Sequence, residues 1–481
     1  MKSLFNLFII IAVGFGIYGV VKTLPEGVNV AGAEYTAPNG SVAFLEDRTY
    51  VDGNGVRHSD QEIFDEAFRM IRGAHRYVLV DMFLYNDLLG TATTSYRALS
   101  EELTDTLIAK KKSEPSVDII VITDPINEIY GGIRSDQFSR LKDAGVELVV
   151  TDLLPLRDSN PVFSGFYRAY IRWFKSSPKE GYLPNPFDTR LPGLSLRPFL
   201  SILNFKANHR KVVLADNGNT FDTLITSANP HDGSSAHTNT AIKVHGGNIW
   251  KDVLASELAV ADFSGAEVPR PAESFLSNIN DPSGSVTIEL LTEKKIRDKL
   301  LEEIDKTKKD DAIDMAMFYL SDREIIDALK RAASRNVSIR ILLDPNKDAF
   351  GRKKNGIPNR PVATELEKTR YAYDLDVRFC DTHGEQCHTK FVLFKTKEGM
   401  TLIDGSANLT RRNIGGYNLE TDILVKGASP QAALDAERYF EKVWNNEGGK
   451  IYSTDYETYK DESLLHMFLY RFMEDLGTSS F

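Results

Sequence analysis

Apolar and polar positions along this chain follow two periods. Ile63, Phe64, Ala67, Phe68 and Ile71 recur at helical spacing, Ser59-Asp60 ahead of them reads as an N-cap, and Glu62 lies in the first turn. Residues 77–85 form an apolar, β-prone run. A helix with Leu99, Leu103, Leu107 and Ile108 on one face runs to Lys112, and a β-branched strand over 117–123 ends in Asp124-Pro125. Residues 138–145 predict a helix stopped by Gly145, and 146–151 another strand. The second half repeats the plan, with a helix through 302–306, a strand over 312–320, a helix over 325–334, a strand over 337–343 ending in Asp344-Pro345, and a strand over 375–379. Met317-Phe318 matches Met82-Phe83. Strands apolar on both faces that alternate with helices predict an α/β architecture. The expectation is two similar lobes, each a mostly parallel mixed sheet flanked by helices, over residues 41–275 and 276–481. The boundary falls in 264–285, which is rich in Pro, Ser, Gly and Asn.

The strongest sign of duplication is polar. Asn208-His209-Arg210-Lys211 opens an apolar run that ends at Asp216, and Ser227-Ala228-Asn229 begins eighteen residues after His209. Cys387-His388-Thr389-Lys390 opens a second run, and Ser406-Ala407-Asn408 begins eighteen residues after His388. Residues i and i+2 of an extended segment share a face, so each histidine projects with its lysine. One polar set, repeated in order and register, predicts a single site shared by two copies.

The chain departs from the repeat at three places. Residues 4–21 are nearly all apolar, which suits a transmembrane anchor or a signal peptide over 1–24, followed by a linker over 25–40. From Asp124 to His209 is 85 residues, but from Asp344 to His388 only 44, so the first lobe holds 41 extra residues. The obvious insertion, 160–205, is aromatic (Phe166, Tyr167, Tyr170, Trp173, Phe174) and basic. Arg168, Arg172, Lys175, Lys179, Arg190, Arg197 and Lys206 stand against Glu180 and Asp188. That composition suits contact with anionic lipid headgroups, and equally a lid packed on the core. The apolar segment 464–476 is expected to pack on the second lobe, with a second interfacial contact as the alternative.

Composition and charge change the picture little. The 481 residues carry net charge −10, which argues against a dedicated nucleic-acid binder. Cys380 and Cys387, seven apart, are unpaired thiols in a cytosolic protein and a disulfide in an exported one. The apolar N-terminus favours export. The folded part is then expected on the periplasmic or outer face of a bacterial inner membrane, or secreted if the segment is cleaved.

Two histidines, two lysines and two asparagines at matched spacing suit phosphodiester cleavage or exchange. One imidazole attacks phosphorus and the other serves as acid and then base. Lys211 and Lys390 neutralise phosphate oxygens, with Asn229, Asn408, Ser227 and Ser406 as further phosphate ligands. The lysines make a metal unnecessary, so no metal or other cofactor is expected. His209-x-Lys211-x4-Asp216 with Ser227-x-Asn229, and His388-x-Lys390 with Gly405-Ser406-x-Asn408, resemble the paired motifs of the phospholipase D superfamily. The resemblance implies a two-lobed fold with the site at the lobe interface, His209 as nucleophile and His388 as general acid. It also implies an acidic residue that orients an imidazole. Glu420 fits, and its first-half counterpart is Asn239. Asp216 enters the catalytic set with His209, Lys211, His388, Lys390 and Glu420. Its second-half counterpart is Lys395, a departure that leaves open a degraded half-site. The implied activity is phosphatidyl transfer or hydrolysis on phospholipids at a membrane surface, similar to bacterial cardiolipin synthases. An exported nuclease and an inactive lipid-binding scaffold are the alternatives.

Overall fold

A computed structural model describes residues 2–91, 96–178, 181–188, 190–271, 284–370 and 373–478. The expected lobe boundary at 275/276, and the insertion's Lys179 and Glu180, lie outside the described residues. In chain order the strands are β1 (Tyr35–Ala37), β2 (Val42–Val51), β3 (Arg57–Asp60), β4 (Tyr77–Met82), β5 (Asp118–Thr123), β6 (Glu147–Val150), β7 (Lys211–Asp216), β8 (Phe221–Thr226) and β9 (Asn239–His245). The second half adds β10 (Val286–Thr292), β11 (Ala312–Met317), β12 (Ser338–Leu343), the short pair β13 (Asp348–Ala349) and β14 (Arg352–Lys353), β15 (Leu375–Cys380), β16 (Lys390–Thr396), β17 (Gly399–Gly405), β18 (Thr421–Gly427) and β19 (Ser453–Asp455).

Two large sheets result, in the orders β3-β2-β9-β8-β7-β4-β5-β6 and β1-β10-β18-β17-β16-β11-β12-β15-β19. Stripped of edge strands, the two orders are the same topology twice. The α/β, two-lobed expectation holds, but the mostly parallel one does not. Among the strands of the two large sheets parallel pairing is confined to β4-β5-β6 and β11-β12-β15, and the other neighbouring strands are antiparallel. The reason is local. Each His-x-Lys strand is followed by short turns rather than crossover helices, and such turns join antiparallel neighbours.

The sheets meet face to face, with helices outside. One apolar cluster draws Phe44, Leu79, Val212 and Ile242 from the first sheet together with Phe391, Leu402 and Val425 from the second. Two further clusters fill the outer sheet–helix layers. Every residue of β7 is therefore buried, since one face meets helices and the other meets the second sheet.

Three segments correct the expected organisation. The linker over 25–40 is not free chain: β1 pairs with β10, so the N-terminal segment completes the edge of the second lobe's sheet. The helix Ile63–Gly73 is not capped by Ser59-Asp60, which belong to β3. Asp47 of β2 instead accepts from Glu62 N (2.8 Å) and Ile63 N (3.1 Å). The helix Leu464–Leu476 buries only Tyr470 and Glu474 and exposes Leu464, Leu465, Phe468, Phe472 and Leu476. It packs on the second lobe as expected along one face, where Tyr470 joins that lobe's apolar cluster and Met467, Leu469 and Met473 lie against it, but its other face stays exposed.

The N-terminal helix Lys2–Val21 is long and apolar enough to cross a membrane, with mean hydropathy 2.4 and few buried residues, as an anchor or signal sequence would be. It packs on the insertion helix Pro161–Phe166. A Cβ on Gly16 would lie 2.8 Å from Pro161 O, and one on Gly165 would collide with Ala12 O, so glycine at both positions permits the close approach. Phe8 stacks on Tyr170 at 3.8 Å, and Asp158 N donates to Gly19 O at 2.9 Å.

Candidate active site

The site forms where each His-x-Lys segment enters its strand. His209 N donates to Leu419 O (2.9 Å) and Leu419 N to Ala207 O (3.0 Å). Symmetrically, His388 N donates to Thr238 O (2.8 Å) and Thr238 N to Gln386 O (3.0 Å). Both exchanges cross between lobes. Each therefore carries the next residue, Glu420 or Asn239, onto the other lobe's histidine. Nδ1 of His209 lies 2.9 Å from Glu420 Oε2, and Nδ1 of His388 lies 3.1 Å from Asn239 Oδ1. Spacing places Glu420 in the second repeat, yet the fold delivers it to the histidine of the first. Donation from Nδ1 leaves Nε2 of each ring with the lone pair.

The lysines follow the same pseudo-symmetry. Lys211 Nζ donates to His209 O (2.6 Å) and lies 5.2 Å from the Phe83 ring, itself 4.6 Å from the His209 ring. Lys390 Nζ donates to His388 O (2.8 Å) and lies 5.2 Å from the Phe318 ring, 4.8 Å from the His388 ring. Phe83 and Phe318 are site residues that motif reasoning missed. The matched Met-Phe pairs that end β4 and β11 were the available signal.

Support is also duplicated. Asp124 accepts from Asn208 N (2.7 Å) and Ile126 N (2.7 Å), and Asp344 from Cys387 N (2.8 Å) and Asn346 N (2.7 Å). Each aspartate caps the segment after its own strand and also fixes the residue preceding a histidine. Cys387 is further tied by its disulfide to Cys380. Asn208 Nδ2 donates to Asp81 Oδ2 at 2.8 Å.

Three predicted site residues do other work. Ser227 Oγ donates to Asn239 Oδ1 (3.1 Å), and Ser406 Oγ to Glu420 Oε2 (2.5 Å). Both hydroxyls are fully buried and hold the histidines' partners. Asp216 stands apart from the histidines. Its Oδ2 accepts from the backbone N–H of His75 (3.0 Å), Arg76 (2.7 Å) and Tyr77 (2.9 Å), at the end of β7 away from the histidine. Lys395, its counterpart, pairs with Asp314 (2.7 Å) and Glu437 (3.0 Å), five residues along β16 from Lys390 and about 17 Å away. The substitution therefore lies outside the second half-site. Asn229 and Asn408 lie on matching turns just beyond the lysines. Asn229 Oδ1 accepts from Leu84 N (3.2 Å), which leaves its amide donors for the site, and Asn408 Oδ1 accepts no bond among the described residues.

Electrostatics favour an incoming anion. Burial, then Lys211 and Lys390, push His209 well below its usual value, so it is neutral at pH 7. Burial, then Lys390, His237, Lys211 and His209, do the same to His388. Burial brings Lys211 down to about 8 and, with Lys211 beside it, holds Lys390 well down. Burial lifts Glu420 to about 7 against the pull of Lys211, the Ser406 and Asn413 bonds and Lys390. A phosphate between the two ammonium groups would relieve their repulsion.

Of the other polar residues around the two motifs, His237 joins the site, its ring 5.8 Å from that of His388. His231 is held by Ser234 Oγ (2.7 Å) and Leu88 O (2.6 Å). Arg411 meets Glu474 and Tyr417, and Arg412 meets Ser159 and Gly477 O, so both dock the C-terminal helix.

Residues 300–444 match the family described as cardiolipin synthase, phospholipase D-like domain. No curated protein matches the sequence. Among solved structures, phosphatidylserine synthase from Haemophilus influenzae Rd KW20 is similar in fold, with TM-score 0.56 and 10% identity over 92% of this chain and 94% of that one. Nuc from Salmonella typhimurium, a phospholipase D family member, aligns with 35% of this chain and 97% of its own, at 19% identity and TM-score 0.28. Residues 300–444 of the second lobe are thus similar to a phospholipase D-like domain, and the chain as a whole shares the fold of the Haemophilus influenzae phosphatidylserine synthase.

Proposed function

We propose that the protein is a membrane-anchored phosphatidyltransferase that cleaves the phosphodiester of a phospholipid through a phosphohistidine. The observation that carries this reading is the exchange of partners between lobes: a carboxylate on Nδ1 of His209 and a neutral amide on Nδ1 of His388. A carboxylate partner raises the basicity of the far nitrogen and stabilises the imidazolium-like adduct. His209 Nε2 therefore attacks phosphorus, and the P–O bond to the leaving alcohol breaks. His388, protonated once the anionic substrate offsets the lysines, gives its proton to that alkoxide. It then takes a proton from the incoming alcohol or water, whose oxygen displaces His209 from phosphorus. Lys211 and Lys390, with the amide of Asn229, hold the non-bridging oxygens as charge develops. The same lysines supply the positive charge that a metal would otherwise bring, so turnover should persist in EDTA.

Retention of the N-terminal helix is supported by its seat on the insertion, through Gly16, Gly165 and the Phe8–Tyr170 stack. The Cys380–Cys387 bond supports an oxidising compartment. The deciding assay gives the purified full chain labelled phosphatidylglycerol, with and without glycerol, in EDTA. Cardiolipin or headgroup-exchanged lipid is expected, and phosphatidic acid alone would identify hydrolysis. His209→Ala and His388→Ala should each abolish product. A fully active single variant, or cleavage of single-stranded oligonucleotide without lipid turnover, overturns the proposal.

A further inference from the structure

A cavity of about 440 Å³ opens beneath the insertion, separate from the histidines but against the segment that leads to them. Lys206 on its floor is three residues before His209, and Thr151 on its wall accepts from Asn208 Nδ2 at 3.0 Å. Its charged lining is unbalanced: Arg168, Arg172, Arg197 and Lys206 face Asp152 and Asp158. Asp158 is already taken. Arg168 holds it through Nε at 2.6 Å, and Lys206 pairs with its other oxygen. Arg172 and Arg197 have no such partner among the described residues. The Nε of each is buried and makes no hydrogen bond among the described residues. Arg172 instead lies 4.1 Å from the ring of Trp173, a largely exposed side chain at the cavity mouth. A buried N–H without an acceptor is costly, and the guanidinium fork matches the oxygens of a phosphate bidentately.

We infer that this cavity is a second phosphate-binding site, taking the phosphate of an anionic phospholipid headgroup beside the catalytic one. The lipid source follows from position. Tyr167, Trp173 and Leu154 give the cavity an apolar rim, and the segment bearing Tyr167 packs on the apolar N-terminal helix. A headgroup bound there would have its acyl chains beside that helix. This rests on the phospholipid reading above for its meaning, as the seat of a lipid acceptor, though not for its existence.

Native mass spectrometry of the full chain, released from detergent with dihexanoyl-phosphatidylglycerol, tests it. The His209→Ala background prevents turnover. Two bound lipids per chain are expected, falling by one on adding Arg172→Gln and Arg197→Gln, with affinity for that lipid down about tenfold or more. A fall from one lipid to none would uphold this site while counting against the phospholipid reading of the histidines. A lipid count and affinity unchanged by the arginine substitutions overturns the inference. Inorganic phosphate in excess separates the two sources: displacement of the arginine-dependent lipid means that phosphate alone suffices, and no displacement means that the lipid body is required. Arg197→Gln alone, which leaves the Arg172–Trp173 stack in place, keeps the test decisive if the double substitution fails to fold.

Discussion

At the scale of the residue, chemistry depends on a few partnerships that motif lettering does not contain. Glu420 must be ionised to support His209, and burial lifts it to about 7. Lys211 must be protonated to hold phosphate, and burial lowers it to about 8. The carboxylate gains its active form as pH rises, and the ammonium loses its own. The kcat/KM profile should therefore climb through about pH 7 and fall above about pH 8. Glu420→Gln should remove the acid limb and lower kcat by roughly 10²–10⁴-fold, read from initial rates across pH. Asp216 belongs to another ledger. Its Oδ2 gathers three backbone N–H groups, so Asp216→Ala should cost about 2–4 kcal/mol in urea unfolding while the folded fraction keeps its kcat. Loss of turnover at unchanged stability would return Asp216 to the catalytic set.

At the scale of the element, the placement of the insertion is the informative feature. Composition marked it as aromatic and basic. Packing shows why both properties are needed: Phe166 and Tyr170 meet Phe8 of the N-terminal helix, and Arg168 with Lys206 neutralises buried Asp158. The contact depends on small residues. Gly165→Leu drives a side chain into Ala12 O, and overpacking of this kind costs ~1–3 kcal/mol. Amide exchange across residues 161–171 should then rise about tenfold, with the sheets unaffected. The C-terminal helix met expectation on one face only. Tyr470, Met467, Leu469 and Met473 pack on the second lobe's apolar cluster, and Arg411 and Arg412 hold the helix end. Leu464, Leu465, Phe468, Phe472 and Leu476 face outward.

At the scale of the molecule, the two lobes are halves of one site rather than neighbours. Backbone exchanges at His209 and His388 cross the interface. So do the Arg210–Glu293 ion pair (2.7 Å) and the bond from Thr240 Oγ1 to Asp404 (2.8 Å). The N-terminal segment adds β1 to the far lobe, so neither half is self-contained. Both histidines of a site come from one chain. Mixing His209→Ala protein with His388→Ala protein should therefore restore no lipid turnover. Recovery toward a quarter or more of wild-type rate would show instead that sites are shared between chains.

The sequence by itself determined the duplication, the α/β class, the apolar N-terminus and the four residues His209, Lys211, His388 and Lys390. Each of these is a local pattern: a period, a run or a spacing. Strand direction was not legible, because an apolar run buried on both faces looks the same in parallel and antiparallel sheets. Only the tertiary structure decided which carboxylate serves which imidazole. Glu420 lies 32 residues after His388 but 211 after His209, and nothing along the chain records that the fold joins the distant pair. The same holds for Ser227 and Ser406. A hydroxyl two residues before an asparagine suits phosphate as well as it suits a neighbouring side chain. Only the fold shows that these two hydroxyls bond Asn239 and Glu420, because a fully enclosed hydroxyl bonds to what encloses it.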